Sequence, residues 1–345
     1  MQQASPYGTH RVIEPKGVLP QGAWKIDNAM TIQDNEVLID VSALNIDAAS
    51  FTQIKQEAGG DPAKIEAIVH GIVEQRGKMH NPVTGSGGML IGRVAAIGGA
   101  LRGKVDLAVG NRIATLVSLS LTPLKIKRIT AIHLDRDQIE VEAQAVLFET
   151  GLYAKLPADI PEKVALAILD VAGAPAQTAR LVRPGDTVVV VGGGGKSGTL
   201  CVYEAKKRAG PAGCVIGVSP FAKDCQRMTA LGWVDHALQV DATDAVAMME
   251  AVAKVTKGRM ADVTINCVNI KNTEMGSILA TRDFGKIYFF SMATSFTAAA
   301  LGAEGVGKDV EMIVGNGYAK DHAVVALALL RESPKLRELF ETIYA

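Results

Sequence analysis

At 345 residues the chain is long enough for two domains, each with its own core. Its 36 basic and 36 acidic side chains cancel, so there is no electrostatic reason to expect nucleic acid or an anionic membrane as a partner. No stretch approaches the ~18 uninterrupted apolar residues of a membrane span, and the balance points to a neutral protein that handles a small molecule.

Residues Met1 to Pro20 contain no apolar run flanked by positive charge, so no secretory signal is expected there. The four cysteines, Cys201, Cys214, Cys225 and Cys267, never fall as Cys-x-x-Cys. That usage predicts reduced thiols in a cytoplasm and no structural zinc lobe.

In chain order, Glu36 to Leu44 reads as a strand by its apolar, β-branched content. Pro62 to Met79 carries Ile65, Ile68, Val69, Ile72 and Val73 at helical spacing. Strands follow over Met89 to Ile97 and Arg112 to Val117. Near residue 156 the β-rich pattern gives way to alternating helices and strands, which predicts a first domain over 1–156 and a second over 157–345. The second begins with one long apolar helix, Glu162 to Val182, then the strand Thr187 to Val191, a glycine loop and a helix from Thr199 to Ala209. Further strands are Cys214 to Val218, Val234 to Leu238, Asp262 to Cys267, Lys286 to Phe290 and Val310 to Val314. Strands alternating with helices imply an α/β fold with a doubly wound parallel sheet.

The glycine loop is the clearest motif. The buried strand Val188 to Val191 runs into Gly192, Gly193, Gly194, Gly195, Lys196, Ser197 and Gly198, and then a helix. Gly193, Gly195 and Gly198 satisfy G-x-G-x-x-G, and the register Gly192, Gly195, Gly198 is equally available. Either way glycine permits a tight turn and close approach of backbone N–H groups to a pyrophosphate at the helix N-terminus. A strand before, a helix after and a second strand about twenty residues on make this a dinucleotide site. A nucleoside-triphosphate loop is excluded, because the glycine it needs five residues before Gly195-Lys196 is Val190. The second strand ends in Ser219, with Lys223 nearby, where an acidic residue would grip a ribose hydroxyl. NAD or NADP is therefore expected, with room for the 2′-phosphate of NADP.

The blocks Glu36-Val37-Leu38-Ile39, Gly110-Asn111-Arg112-Ile113 and Val182-Arg183-Pro184-Gly185-Asp186-Thr187-Val188 resemble the medium-chain dehydrogenase/reductase superfamily. The resemblance implies a GroES-like β-rich domain, a Rossmann domain and an active cleft between them. The N-terminal segment Tyr7 to Pro20, with Gly85 to Gly92 and Val146 to Tyr153, is similar to the L-erythro-3,5-diaminohexanoate dehydrogenase family of lysine fermentation. That closer likeness implies oxidative deamination at carbon 3 of a diamino acid. It also implies departures from the zinc-dependent members, whose first cysteine ligand falls at Asp47 and whose Gly-His-Glu ligand motif falls at Gly87-Gly88-Met89. With Cys and His both missing, no metal is expected. The zinc-free quinone reductases are the nearer branch, so a quinone, enone or acyl-thioester reductase is the competing enzymatic reading. A cofactor-binding protein without catalysis is the third.

Amine oxidation requires a neutral amine when hydride leaves and attack of water on the resulting iminium, and both steps call for a base. The family register nominates Asp47, which is equally suited to capping a turn. Glu149, flanked by apolar residues, is either solvent-facing or functionally buried. Tyr153 and His80 are further catalytic candidates, and Arg11 or Lys16 would pair with the substrate carboxylate. The segment Val310 to Gly315 would form the last strand of the sheet, an open edge that predicts a homodimer.

Overall fold

The computed structural model describes residues 4–291, 293–315 and 317–344. Residues 1–3 of the N-terminal stretch considered above lie outside the described residues. The chain divides into two compact units between Asp159 and Ile160, three residues beyond the expected boundary.

The first unit opens with a two-stranded arm, β1 (Val12–Glu14) and β2 (Lys25–Ile26). Then come β3 (Glu36–Ile46), α1 (Ala48–Glu57), α2 (Pro62–Arg76), β4 (Gly88–Ile97), β5 (Arg112–Thr115), β6 (Leu124–His133), β7 (Gln138–Phe148) and β8 (Tyr153–Lys155). Among the described residues it holds a six-stranded antiparallel sheet in the order β6-β7-β3-β4-β5-β8. In β3 the period-two pattern is plain: Val37, Ile39 and Val41 are buried, whereas Asp40 and Ser42 are exposed. The register shifts between Val41 and Ala43 against both neighbouring strands, and the alternation slips there. Helix α2 starts on an Asp61 side-chain cap with Pro62 at its first turn. It stops three residues before the expected Met79, because Gly77 takes a left-handed φ of 72°. Helix α1 was not anticipated.

The second unit comprises α3 (Glu162–Leu169), α4 (Gly173–Leu181), β9 (Thr187–Val191), α5 (Lys196–Ala209), β10 (Cys214–Ser219), α6 (Ala222–Leu231), β11 (His236–Gln239), α7 (Ala245–Thr256), β12 (Ala261–Asn266), α8 (Glu274–Ala280), β13 (Thr281–Phe289), α9 (Phe296–Gly305), β14 (Glu311–Val314), α10 (His322–Glu332) and α11 (Pro334–Ile343). The single long helix expected over Glu162 to Val182 is two helices. Pro175 has no N–H to donate to Val171, so the hydrogen-bond ladder breaks between Leu169 and Gly173.

The described strands pair in parallel in the order β11-β10-β9-β12-β13-β14. Counted within the unit this is 3-2-1-4-5-6, the order of a dinucleotide-binding sheet. Both faces are covered. Val188 and Val190 of β9 join a cluster with Cys201, Val202 and Ala205 of α5, whereas Val189 and Val191 pack with Met248 and Val252 of α7. That two-sided burial explains the unbroken valine run.

Candidate active site

The second unit builds a cradle from backbone alone. After β9 the chain turns at Gly192, whose φ of 79° suits glycine. A Cβ on Gly198 would lie 1.9 Å from the Gly192 carbonyl oxygen, and one on Gly193 would lie 2.8 Å from Met228 Sδ. A Cβ on Gly194 would come 2.5 Å from Asp224 Cβ. At Gly198 the obstacle is backbone and admits no added carbon, whereas at Gly193 and Gly194 side chains of α6 pack closely on the loop. Gly195 differs: its Cβ would meet nothing closer than the Gly192 oxygen, at 3.4 Å. It is the N-cap of α5, and no side chain caps that helix. The first-turn amides of α5 are thus left to an external acceptor, and the open face at Gly195 admits one. A dinucleotide pyrophosphate fits this cradle. Gly195 gives the open approach and Gly198 the close helix packing in both registers, and the turn itself is made at Gly192.

Lys196 Nζ pairs with Asp170 at 2.5 Å, and Ser197 is buried. The helix begins at Lys196, three residues before the expected Thr199. Around the end of β10 the expectation changes. Ser219 is buried, and its Oγ donates to Asp224 Oδ2 at 2.9 Å. Arg227 Nη2 donates to Asp224 Oδ1 at 2.8 Å and also to the Gly194 carbonyl. Lys223 is exposed in the first turn of α6. The group beside the glycine loop is therefore the Asp224 carboxylate, paired with Arg227, rather than a free Ser219 hydroxyl with Lys223. Sequence reading passed over it because an acid in a helix's first turn is ordinary.

In the first unit, Asp47 caps α1: Oδ1 accepts from Ala49 N at 3.1 Å and Ser50 N at 3.2 Å. Its Oδ2 accepts from Ser86 Oγ. Ser86 Oγ lies 2.8 Å from the buried Ser50 Oγ, which in turn lies 2.5 Å from Thr84 Oγ1. Asp47 N faces the Gly87 carbonyl at 3.4 Å. Asp47 and the start of Gly87-Gly88-Met89 are thus neighbours. Sequence reading missed the three hydroxyls, which carry no motif. Among the described residues no three His, Cys, Asp or Glu side chains gather as a metal-holding group.

The other candidates fall elsewhere. Arg11 is buried, and its five N–H groups are spent on Glu36, Asp27 O, Ala29 O and Thr31 O. It braces the N-terminal arm and has no donor left for a substrate carboxylate. The Glu36 carboxyl is held below its ordinary range: burial opposes this, but the Arg11 guanidinium and the Gln33 amide outweigh it. Glu149 is exposed beyond the end of β7 and accepts from Asn35 Nδ2 at 3.1 Å, so the solvent-facing alternative applies. His80 accepts at Nδ1 from Arg76 Nη2, 3.0 Å away. Burial, then the charges of Lys78 and Arg76, push it down to about 4, which leaves it a poor base at neutral pH. Tyr153 sits on β8 against the core, and burial followed by Asp106 raises its phenol, so it stays protonated. Lys16 is exposed on the arm and donates to Val12 O at 2.5 Å.

The family model described as the L-erythro-3,5-diaminohexanoate dehydrogenase N-terminal domain matches residues 10–157. The L-erythro-3,5-diaminohexanoate dehydrogenase of Acetoanaerobium sticklandii is 59% identical over 98% of this chain and 98% of its own length. This chain belongs to the L-erythro-3,5-diaminohexanoate dehydrogenase family. The Fusobacterium nucleatum member is 58% identical over 100% of both chains. Members of this family, this chain included, are dehydrogenases.

Solved oxidoreductase structures share the fold. A Pseudomonas syringae quinone oxidoreductase has a TM-score of 0.52 at 16% identity, covering 92% of this chain and 83% of that one. The alcohol dehydrogenase of Thermus sp. ATN1 also scores 0.52 at 16% identity, with 91% and 86% coverage. So does a mycobacterial protein complexed with NADPH, with 93% and 85% coverage.

Proposed function

We propose that the chain catalyses the NAD(P)-dependent oxidative deamination of L-erythro-3,5-diaminohexanoate at carbon 3. The products are 5-amino-3-oxohexanoate, ammonia and reduced dinucleotide, a step in lysine degradation. The observation that carries this reading is the 59% identity to the Acetoanaerobium sticklandii enzyme over nearly the whole of both chains. The glycine cradle supports it independently.

Bound dinucleotide supplies the hydride acceptor. The amides at the start of α5 hold the pyrophosphate, and Asp224 faces the ribose side of the loop. Asp47 acts on the substrate: its carboxylate holds the carbon 3 ammonium and takes its proton, releases that proton to solvent, and then accepts one from the water that attacks the iminium carbon. Ser86, Ser50 and Thr84 keep that carboxylate oriented. Lys16 offers an ammonium to the substrate carboxylate as a point charge.

The protein works as a homodimer in the cytoplasm. Among the described residues no helix is long and apolar enough to cross a membrane. The dimer is supported by β14, which ends the parallel sheet.

The deciding experiment incubates purified protein with 3,5-diaminohexanoate and NAD or NADP and measures reduced dinucleotide and free ammonia together. Equal yields of both are expected. Reduction of an enone or quinone by NAD(P)H, with no ammonia from the diamino acid, would replace this reading with that of a quinone-type reductase.

A further inference from the structure

Two cysteines that the proposed reaction does not use lie in contact beneath the glycine cradle. Cys201 is on α5 and is fully buried; Cys267 directly follows β12 and is half-buried. The Cys267 thiol donates to Cys201 Sγ across 3.7 Å, and both belong to the cluster around Val190 and Tyr288.

Their backbone neighbours reach the dinucleotide site. Cys267 N donates to the carbonyl of Val191, the last residue of β9, at 3.0 Å. The next residue, Val268, places its Cγ1 3.3 Å and its N 3.5 Å from where a Cβ on Gly192 would be. On the other side, Gly198 in the first turn of α5 packs against the Gly192 carbonyl without room for one added carbon. The sulfur pair therefore spans the two elements that clamp the Gly192 turn.

We propose that Cys201 and Cys267 form a redox-modification site, in which a peroxide converts the thiol pair to an intramolecular disulfide that weakens dinucleotide binding. Cys267 reacts first because it is reachable, whereas burial raises the Cys201 thiol well above its ordinary range. The Cys267 thiolate attacks the peroxide O–O bond, forming a sulfenic acid, and the leaving hydroxide takes the thiol proton as water. Cys201 Sγ then displaces hydroxide from the sulfenic sulfur, and that hydroxide leaves with the Cys201 proton as a second water. Two thiols are oxidised to one disulfide, and one peroxide is reduced to two waters. A disulfide needs sulfurs about 2.05 Å apart, so the pair must close by about 1.7 Å. The side chains absorb part of that closure. The rest must move α5, whose Gly198 is packed on the Gly192 carbonyl without slack, or the Cys267-Val268 segment, which is hydrogen-bonded to the end of β9 and lies beside Gly192.

The inference requires the dinucleotide cradle but is independent of which substrate is oxidised, so it can fail while the proposed activity stands. The test treats reduced protein with hydrogen peroxide, digests it without reductant and weighs the peptides. A Cys201 peptide linked to a Cys267 peptide, two hydrogens lighter than their sum, is expected. The NAD dissociation constant, measured by calorimetry, should rise tenfold or more and recover with dithiothreitol. Peroxide-treated Cys201→Ala and Cys267→Ala proteins should keep the affinity each had before treatment. Absence of the linked peptide overturns the proposal, and so does linked protein that binds NAD as well as reduced protein. The peptide measurement uses unmodified protein, so it stands even where a cysteine variant folds poorly.

Discussion

Asp47 does two things with one carboxylate, and they can be separated. Oδ1 caps α1, and Oδ2 takes the Ser86 hydroxyl. In Asp47→Asn the side-chain oxygen still accepts from the Ala49 and Ser50 amides, and the new amide donates to Ser86 Oγ. Thermal stability should barely change, while the missing charge and basicity lower turnover of the diamino acid ~10²-fold or more. Near-normal turnover in Asp47→Asn would leave capping as its whole role. Asp224 carries the second residue-scale prediction. Its carboxylate stands beside Gly194, held by Ser219 and Arg227, and would repel the 2′-phosphate of NADP while accepting from the 2′-hydroxyl of NAD. NAD should bind more tightly than NADP, and Asp224→Ala should shift the ratio of the two dissociation constants toward NADP by tenfold or more. An unchanged ratio would return the choice to Ser219 and Lys223.

At the scale of the element, the β9-loop-α5 unit distinguishes glycines that hold the fold from the glycine that admits the ligand. Gly198→Ala drives a carbon to 1.9 Å from a backbone oxygen, which neither α5 nor β9 can yield to, so the expected cost is about 1–3 kcal/mol or more of stability. In Gly195→Val the β-carbon meets only one atom, at 3.4 Å, and the variant should stay within about 1 kcal/mol of the parent, the scale of exchanging an N-cap residue. Its branched side chain fills the open approach to the α5 amides, so the NAD dissociation constant should rise by tenfold or more. Denaturant melts and calorimetry on the pair check this, and equal NAD affinity in Gly195→Val would remove the pyrophosphate from this loop.

For the whole molecule, the parallel sheet ends at β14, leaving one row of backbone N–H and C=O groups unpaired by a further strand. Large apolar side chains are exposed on and before it: Val314 on the strand, and Phe296 and Leu301 on α9. A second copy paired about a two-fold axis would extend the sheet and cover them. Sedimentation at micromolar concentration should give a dimer, and the double substitution Leu301→Asp and Val314→Asp should shift it to monomer. A parent protein that sediments as a monomer rules this out.

The sequence by itself determined what local physics decides. An uninterrupted valine run means a strand buried on both faces, glycines with a helix behind them mean a phosphate cradle, and the change of rhythm near residue 156 separates the two units. Tertiary structure alone decided the fate of side chains whose partners lie far along the chain. Arg11 is consumed by Glu36, 25 residues away, and Asn35 claims Glu149 across 114. His80 is silenced by burial and then by the charges of Lys78 and Arg76, Asp224 is carried onto the glycine loop by the packing of α6, and two sulfurs 66 residues apart are brought into contact. Propensity and periodicity act over a turn or a strand. A hydrogen bond or a desolvated charge depends on which residues the finished fold sets side by side, and no spacing rule encodes that.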